Sequence, residues 1–153
     1  MNLREIQDDI VQRYRINLDP ESKCRTRTHA HPKQRRVCKW VHKNSMPNTF
    51  TLFHEIGHVE THKSWMRRCE QEYYATIWAI DEWRNKYGLS ITENLIYKYQ
   101  NYILREVYRG KRHHGKGYDV LDLYKYAGIH KTKAEMKKLF PKYESVIDEW
   151  QTL

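Results

Sequence analysis

The chain has 153 residues, which fit one domain with one modest core and leave little room for a second independent domain. Hydrophobic residues make up 39% and charged residues 31%, which excludes a disordered chain, and no apolar run approaches the ~20 residues of a membrane span. The formal net charge of +9 favours acidic partners such as nucleic acid, an anionic surface or an acidic protein, and leaves the fold open.

Residues 2–15 read as a helix, because Leu3, Ile6, Ile10 and Val11 recur at helical spacing. This charged, amphipathic N-terminus lacks the apolar block of a signal peptide. Three cysteines, an odd number, give no paired framework, so a reduced, cytoplasmic protein is expected. Asn17 to Ser22 contains Asp19-Pro20 and reads as a turn. Residues 23–43 hold eight Lys or Arg, three His and no acid. Val37, Trp40 and Val41 suggest a short strand around Arg35–His42, with another at Cys24–Thr28. Residues 44–48 read as a turn, and Asn48 or Thr49 as the N-cap of a helix over 49–62. A second strong helical pattern covers 67–86 and ends before Gly88. A third, capped by Ser90 or Thr92, covers roughly 92–109, with a stripe from Leu95 to Val107. A basic, glycine-rich loop comes next at Gly110–Gly117. A short helix is expected at 119–127, ending at Gly128, and the tail 131–151 reads as one or two helices broken near Pro141.

The helix at 49–62 carries His54-Glu55-Ile56-Gly57-His58. Residues four apart share a helix face, so His54 and His58 can offer their imidazoles to one ion. Glu55, next to the first ligand, can reach a water on that ion and serve as general base, then general acid. Zinc with three protein ligands keeps one position open for that water. Phe50, Leu52, Phe53, Ile56 and Val59 surround the polar residues, so the helix is expected to be buried and its imidazoles to need partners. A third ligand is required. Glu70 and Glu72 lie on the next helix, and His62 is a rival on the same one. His54, His58 and His62 in a straight column span about 12 Å by helix rise, too far for one ion unless the helix breaks after His58. No glycine lies between His58 and His62 to break it. Glu72 shares a face with Ala75, Thr76 and Ala79, small residues that would let the two helices approach, and is favoured over Glu70.

The run Asn48 to His58 resembles the active-site helix of the ImmA/IrrE metallopeptidase family, which shows aromatic-Thr-Leu-x-His-Glu-Leu/Ile-Gly-His. Glu70-Gln71-Glu72 is similar to the Glu-x-Glu that opens the family's second helix. Tyr73, Tyr74 and Thr76 depart from the Ala, Asn/Asp and Phe usual at those places in the family. The resemblance covers roughly residues 48–80. It implies an HExxH zinc site with His54, His58 and Glu72 as ligands and Glu55 as the catalytic base. It also implies a gluzincin-like α+β fold over 1–153, mostly helical, with a small N-terminal antiparallel sheet beside the metal helix. The activity implied is endopeptidase cleavage of a helix-turn-helix DNA-binding regulator, in a phage or mobile-element setting.

Other features compete. The basic region 23–43 suits a phosphate backbone, with Trp40 and His42 available for stacking on bases. It also suits a strand edge that lysines keep from unwanted pairing, or one that receives a peptide by strand addition. The alternative to an enzyme is therefore a basic nucleic-acid- or regulator-binding module whose zinc is structural or vestigial. Cys24 and Cys38 with His29 and His31 can make a second, structural zinc site, although their spacing matches no standard finger. Cys69 reads as a buried apolar thiol. The loop Gly110–Gly117 lacks the order of a phosphate loop. It reads as a surface loop or a lid, from which His113, His114 or Tyr118 could stabilise an oxyanion.

Overall fold

In the computed structural model the described residues are 1–21, 27–110 and 121–150. Asn2 turns the chain into α1 (Leu3–Arg13): its side chain accepts the Glu5 amide, and Ile6 and Ile10 are buried. Asn17–Asp19, expected as a turn, is a strand, β1. Three residues are too few to display an alternating pattern, and the strand is specified by its partner far along the chain. That partner is β3 (Arg36–Cys38), which runs parallel to β1, with Leu18 opposite Val37. Strand β2 (His29–His31) pairs antiparallel with β3, with Ala30 opposite Val37. The order is β1-β3-β2, so the small sheet is mixed rather than antiparallel throughout. A 3-10 turn at Pro32–Gln34 and Arg35, at φ 47°, reverse the chain between β2 and β3. Strand β1 then adds to the outer side of β3 in the same direction. A strand lies at His29–His31; of the one expected at Cys24–Thr28, residues 24–26 lie outside the described ones, as do 22 and 23, and 27–28 are not strand.

The metal-motif helix α2 (Met46–Thr61) starts three residues earlier than expected. Ser45 is its cap, accepting the Asn48 amide, and Pro47 lies in the first turn, where its fixed φ suits a helix and its missing N–H costs nothing. A proline there is equally compatible with a turn, which is why the start is displaced. Apolar side chains surround α2, as befits a helix with neighbours on most sides. Phe50 and Phe53 meet Trp83 edge-on at 5.3 and 5.1 Å. Two buried indoles find partners for their N–H: Trp83 donates to the Ser90 carbonyl and Trp40 to that of Asn48.

Helix α3 (Arg68–Asp81) runs on through a π-helical turn at Glu82–Lys86 and stops at Gly88, whose φ of 64° suits a residue without Cβ. Thr92 caps α4 (Glu93–Tyr108). The buried Gln100 of α4 donates to the Leu121 carbonyl and accepts the Leu123 amide, which fixes α5 (Leu123–Tyr126) against α4. Helix α6 (Lys133–Leu139) is followed at Pro141 by a 3-10 turn and then α7 (Glu144–Asp148), the break the sequence places there. The molecule is thus α+β and mostly helical. Among the described residues no helix is long and apolar enough to cross a membrane.

Helices α2 and α3 approach closely at Gly57. A Cβ built on Gly57 would stand 2.3 Å from the backbone oxygen of Ala75. At an open helical position Gly→Ala stabilises by roughly 1 kcal/mol. At Gly57 the sign should reverse: Gly57→Ala is expected to destabilise by about 1–3 kcal/mol, read as a lower urea midpoint at unchanged slope.

Candidate metal centre

Helix α2 presents His54 and His58 on one face, with ring centroids 4.6 Å apart and planes nearly perpendicular. Both point Nε2 at the same oxygen of Glu72 on α3: Oε2 lies 2.9 Å from His54 and 3.3 Å from His58. All three side chains are buried, and their ligand atoms lie within 4.8 Å of one another. This group can hold a metal ion.

The ring of His54 is oriented from behind. Thr76, one turn beyond Glu72, donates its hydroxyl to the Glu72 carbonyl at 2.7 Å. Its oxygen is then the acceptor for His54 Nδ1–H, 3.0 Å away. With the proton on Nδ1, a neutral His54 keeps its lone pair on Nε2, facing the group. Tyr99 of α4 lies against the His54 ring at 4.3 Å. Thr51 donates to the Pro47 carbonyl, so the Tyr99 hydroxyl donates to Thr51 at 3.2 Å. Burial pushes that hydroxyl well up, which keeps it protonated.

Burial also holds the His54 imidazole down at about 4. It acts the same way on His58, but the Glu72 carboxylate outweighs it and holds His58 above the ordinary histidine value. Burial opposes the charge on Glu72. The charge of His58 and its hydrogen bond nevertheless keep this carboxyl well below the usual range. Arg68, one turn earlier on α3, takes Glu72 Oε1 at 3.1 Å. The proton on His58 is the one a cation has to displace.

Glu55 is half-buried and opens onto a cavity of about 310 Å³ that also reaches His54, His58 and Glu72. Loss of solvation pushes its carboxyl up to about 7, against the lowering influence of His58, Arg68 and Lys98. Such a group takes up and releases protons near neutrality.

The two rivals for third place sit elsewhere. Glu70 accepts the Arg67 amide in the capping box that opens α3. It lies two residues from Glu72, on another side of the helix. Helix α2 ends at Thr61, and His62 leaves it with extended backbone, lining the cavity outside the three-ligand group. Thr76, Tyr99, Arg68 and Lys98 gain roles at the centre that the sequence alone did not assign them. Thr76 had a signal, since it shares the Glu72 face. Tyr99 reads in sequence only as one member of the apolar stripe of α4. His113, His114 and Tyr118 lie outside the described residues, as does Cys24.

Removing the partner of a ligating imidazole typically costs 10–100-fold in metal affinity. Thr76→Val should therefore weaken divalent-metal binding at this site by about that factor, with Thr76→Ser close to wild type, in a competition titration against a chromophoric chelator. No family model, curated protein or solved structure matches the chain.

Proposed function

We propose that the chain is a zinc-dependent endopeptidase, with His54, His58 and Glu72 as ligands and Glu55 as general base. The observation that carries this reading is the convergence of two imidazole Nε2 atoms and one carboxylate oxygen beside a half-buried glutamate that opens onto the same cavity. Two histidines and one glutamate make the donor set of a catalytic zinc, which leaves a coordination position for water. When bound, the ion polarises the scissile carbonyl and lowers the pKa of a water it holds towards ~7. Glu55 takes the proton from the attacking water and delivers it to the departing amine nitrogen. His54 and His58 hold their positions through Thr76, Tyr99 and the packing of α2.

Strand β2 is one of the two edge strands of the sheet, and its His29 and Ala30 line the cavity wall. An extended peptide adding to that edge would have its backbone against the cavity. A DNA-binding regulator as substrate is the expectation drawn from the resemblance to ImmA/IrrE peptidases. The rival reading, a nucleic-acid module, draws on the basic stretch 23–43. There Arg35 pairs with Glu60, and Arg36 with Asp19, so two of its cations already have anionic partners.

The test compares metal content by elemental analysis with cleavage of a degenerate peptide library read by mass spectrometry. Glu55→Gln should retain metal at the wild-type level and yield no new peptide termini. Glu72→Ala should lose one metal equivalent relative to wild type. Glu70→Ala should keep it and lose about 1 kcal/mol of stability as a damaged cap. Undiminished cleavage by Glu55→Gln would refute the proposed base, and metal loss in Glu70→Ala rather than Glu72→Ala would reassign the third ligand.

A further inference from the structure

The hairpin β2–β3 brings together a second set of metal-ligating side chains. His29 stands directly opposite Cys38 in the antiparallel register, and His31 is two residues along the same strand. Side chains of opposed residues share a face, as do residues i and i+2 of one strand. All three side chains therefore project to one side of the hairpin, while Leu18, Ala30 and Val37 take the other and pack on the core. The ligand atoms of His29, His31 and Cys38 lie within 4.8 Å of one another. Cys38 and His29 are buried and His31 is half-buried.

The ring orientation suits a cation. His29 Nδ1 lies 2.8 Å from the Arg27 carbonyl, an acceptor only, so Nδ1 carries the proton and the neutral ring keeps its lone pair on Nε2. That Nε2 lies 3.2 Å from Nε2 of His31. Two imidazoles on one tetrahedral ion, each about 2.0–2.1 Å from it, would hold their nitrogens roughly 3.3 Å apart. A carbonyl fixing the far nitrogen of a ligating ring is the usual outer support of a metal site. The arrangement of His54 and Thr76 is the same device. The same face also carries Arg36, whose charge is paired with Asp19 at 3.7 Å.

We infer that His29, His31 and Cys38 form a second cation site, taking a borderline or soft divalent metal such as zinc through two nitrogens and a thiolate. The donor set of sulfur and imidazole selects against magnesium and calcium, which prefer oxygen. An ion there ties β2 to β3 across the hairpin. It thereby fixes the strand whose His29 and Ala30 form a wall of the large cavity. This inference does not depend on the peptidase reading, because it uses none of the same ligands.

Cobalt(II) separates the two sites, since only this one contributes sulfur. The metal-free full-length Glu72→Ala variant, titrated with cobalt, should develop a thiolate-to-cobalt charge-transfer band in the near ultraviolet. Cys38→Ser in that background should abolish the band, and Cys69→Ser should leave it intact. His31→Asn keeps the thiol and should raise the cobalt concentration for half-saturation by more than the ~10–100-fold that loss of an outer partner costs. Circular dichroism of each metal-free variant establishes that it is folded, and His31→Asn, on the half-buried residue, reports even if Cys38→Ser does not fold. Absence of the band, or its survival in Cys38→Ser, would overturn the site and leave the His29–His31 contact as a hydrogen bond between two rings. A band in Glu72→Ala together with failure of peptide cleavage by the wild type would sink the peptidase reading alone.

Discussion

The close approach of α2 and α3 at Gly57 and Ala75 is the constraint on which the geometry of the centre depends. Any Cβ at position 57 would overlap the Ala75 carbonyl, so the two backbones meet with no side chain between them. Ala75 and Ala79 on the α3 side are fully buried and small enough to permit it. Glu72 lies three residues before Ala75, within one turn of the contact. Its carboxylate can therefore reach both imidazoles of α2. Had a larger residue held the helices a few ångström further apart, Glu72 could not have met both Nε2 atoms at 2.9 and 3.3 Å.

The same contact commits several polar groups to the interior, where an unpaired donor or acceptor costs about 1–3 kcal/mol. Each is assigned a direction. Thr76 receives from His54 because its own proton goes to the Glu72 carbonyl. Tyr99 gives to Thr51 because Thr51 gives to Pro47. The first turn of α2 is thereby linked, through Thr51 and Tyr99, to the ring of His54. Glu72 is balanced by His58 on one oxygen and Arg68 on the other. A carboxylate buried this deeply stays ionised only because opposite charge stands on both sides of it.

What the sequence disclosed and what it withheld divide along the range of the interactions. The helices α1 to α4 were legible because their signals are local: an apolar stripe, a cap at Thr92, a stop at Gly88. The pair His54 and His58 was legible for the same reason, as was the face joining Glu72 to Ala75, Thr76 and Ala79. Strand β1 was not, since three residues carry no period and its partner is 19 positions away, Leu18 against Val37. The start of α2 was missed because Pro47 is a breaker in most contexts and a good first-turn residue in this one. Tyr99 and Lys98 were out of reach because nothing in their neighbourhood says that α4 passes the metal centre. His29, His31 and Cys38 fit no familiar finger spacing, because a hairpin register brings them together rather than a loop of fixed length.

The sheet shows how so short an assembly serves the site. Three strands of three residues cannot stand alone. Their inner face, Leu18, Ala30 and Val37, packs on the core that also buries α2. On the outer face and at its turn, several polar side chains are engaged with one another or with neighbouring elements. Arg36 pairs with Asp19, His29 meets His31, and Arg35 at the turn reaches both Glu60 of α2 and the Tyr14 carbonyl at the end of α1. Part of the positive charge that marks this stretch in sequence is thus structural. It holds a marginal hairpin against α2, so that β2, the strand nearest the cavity, stays in place beside His54 and Glu55.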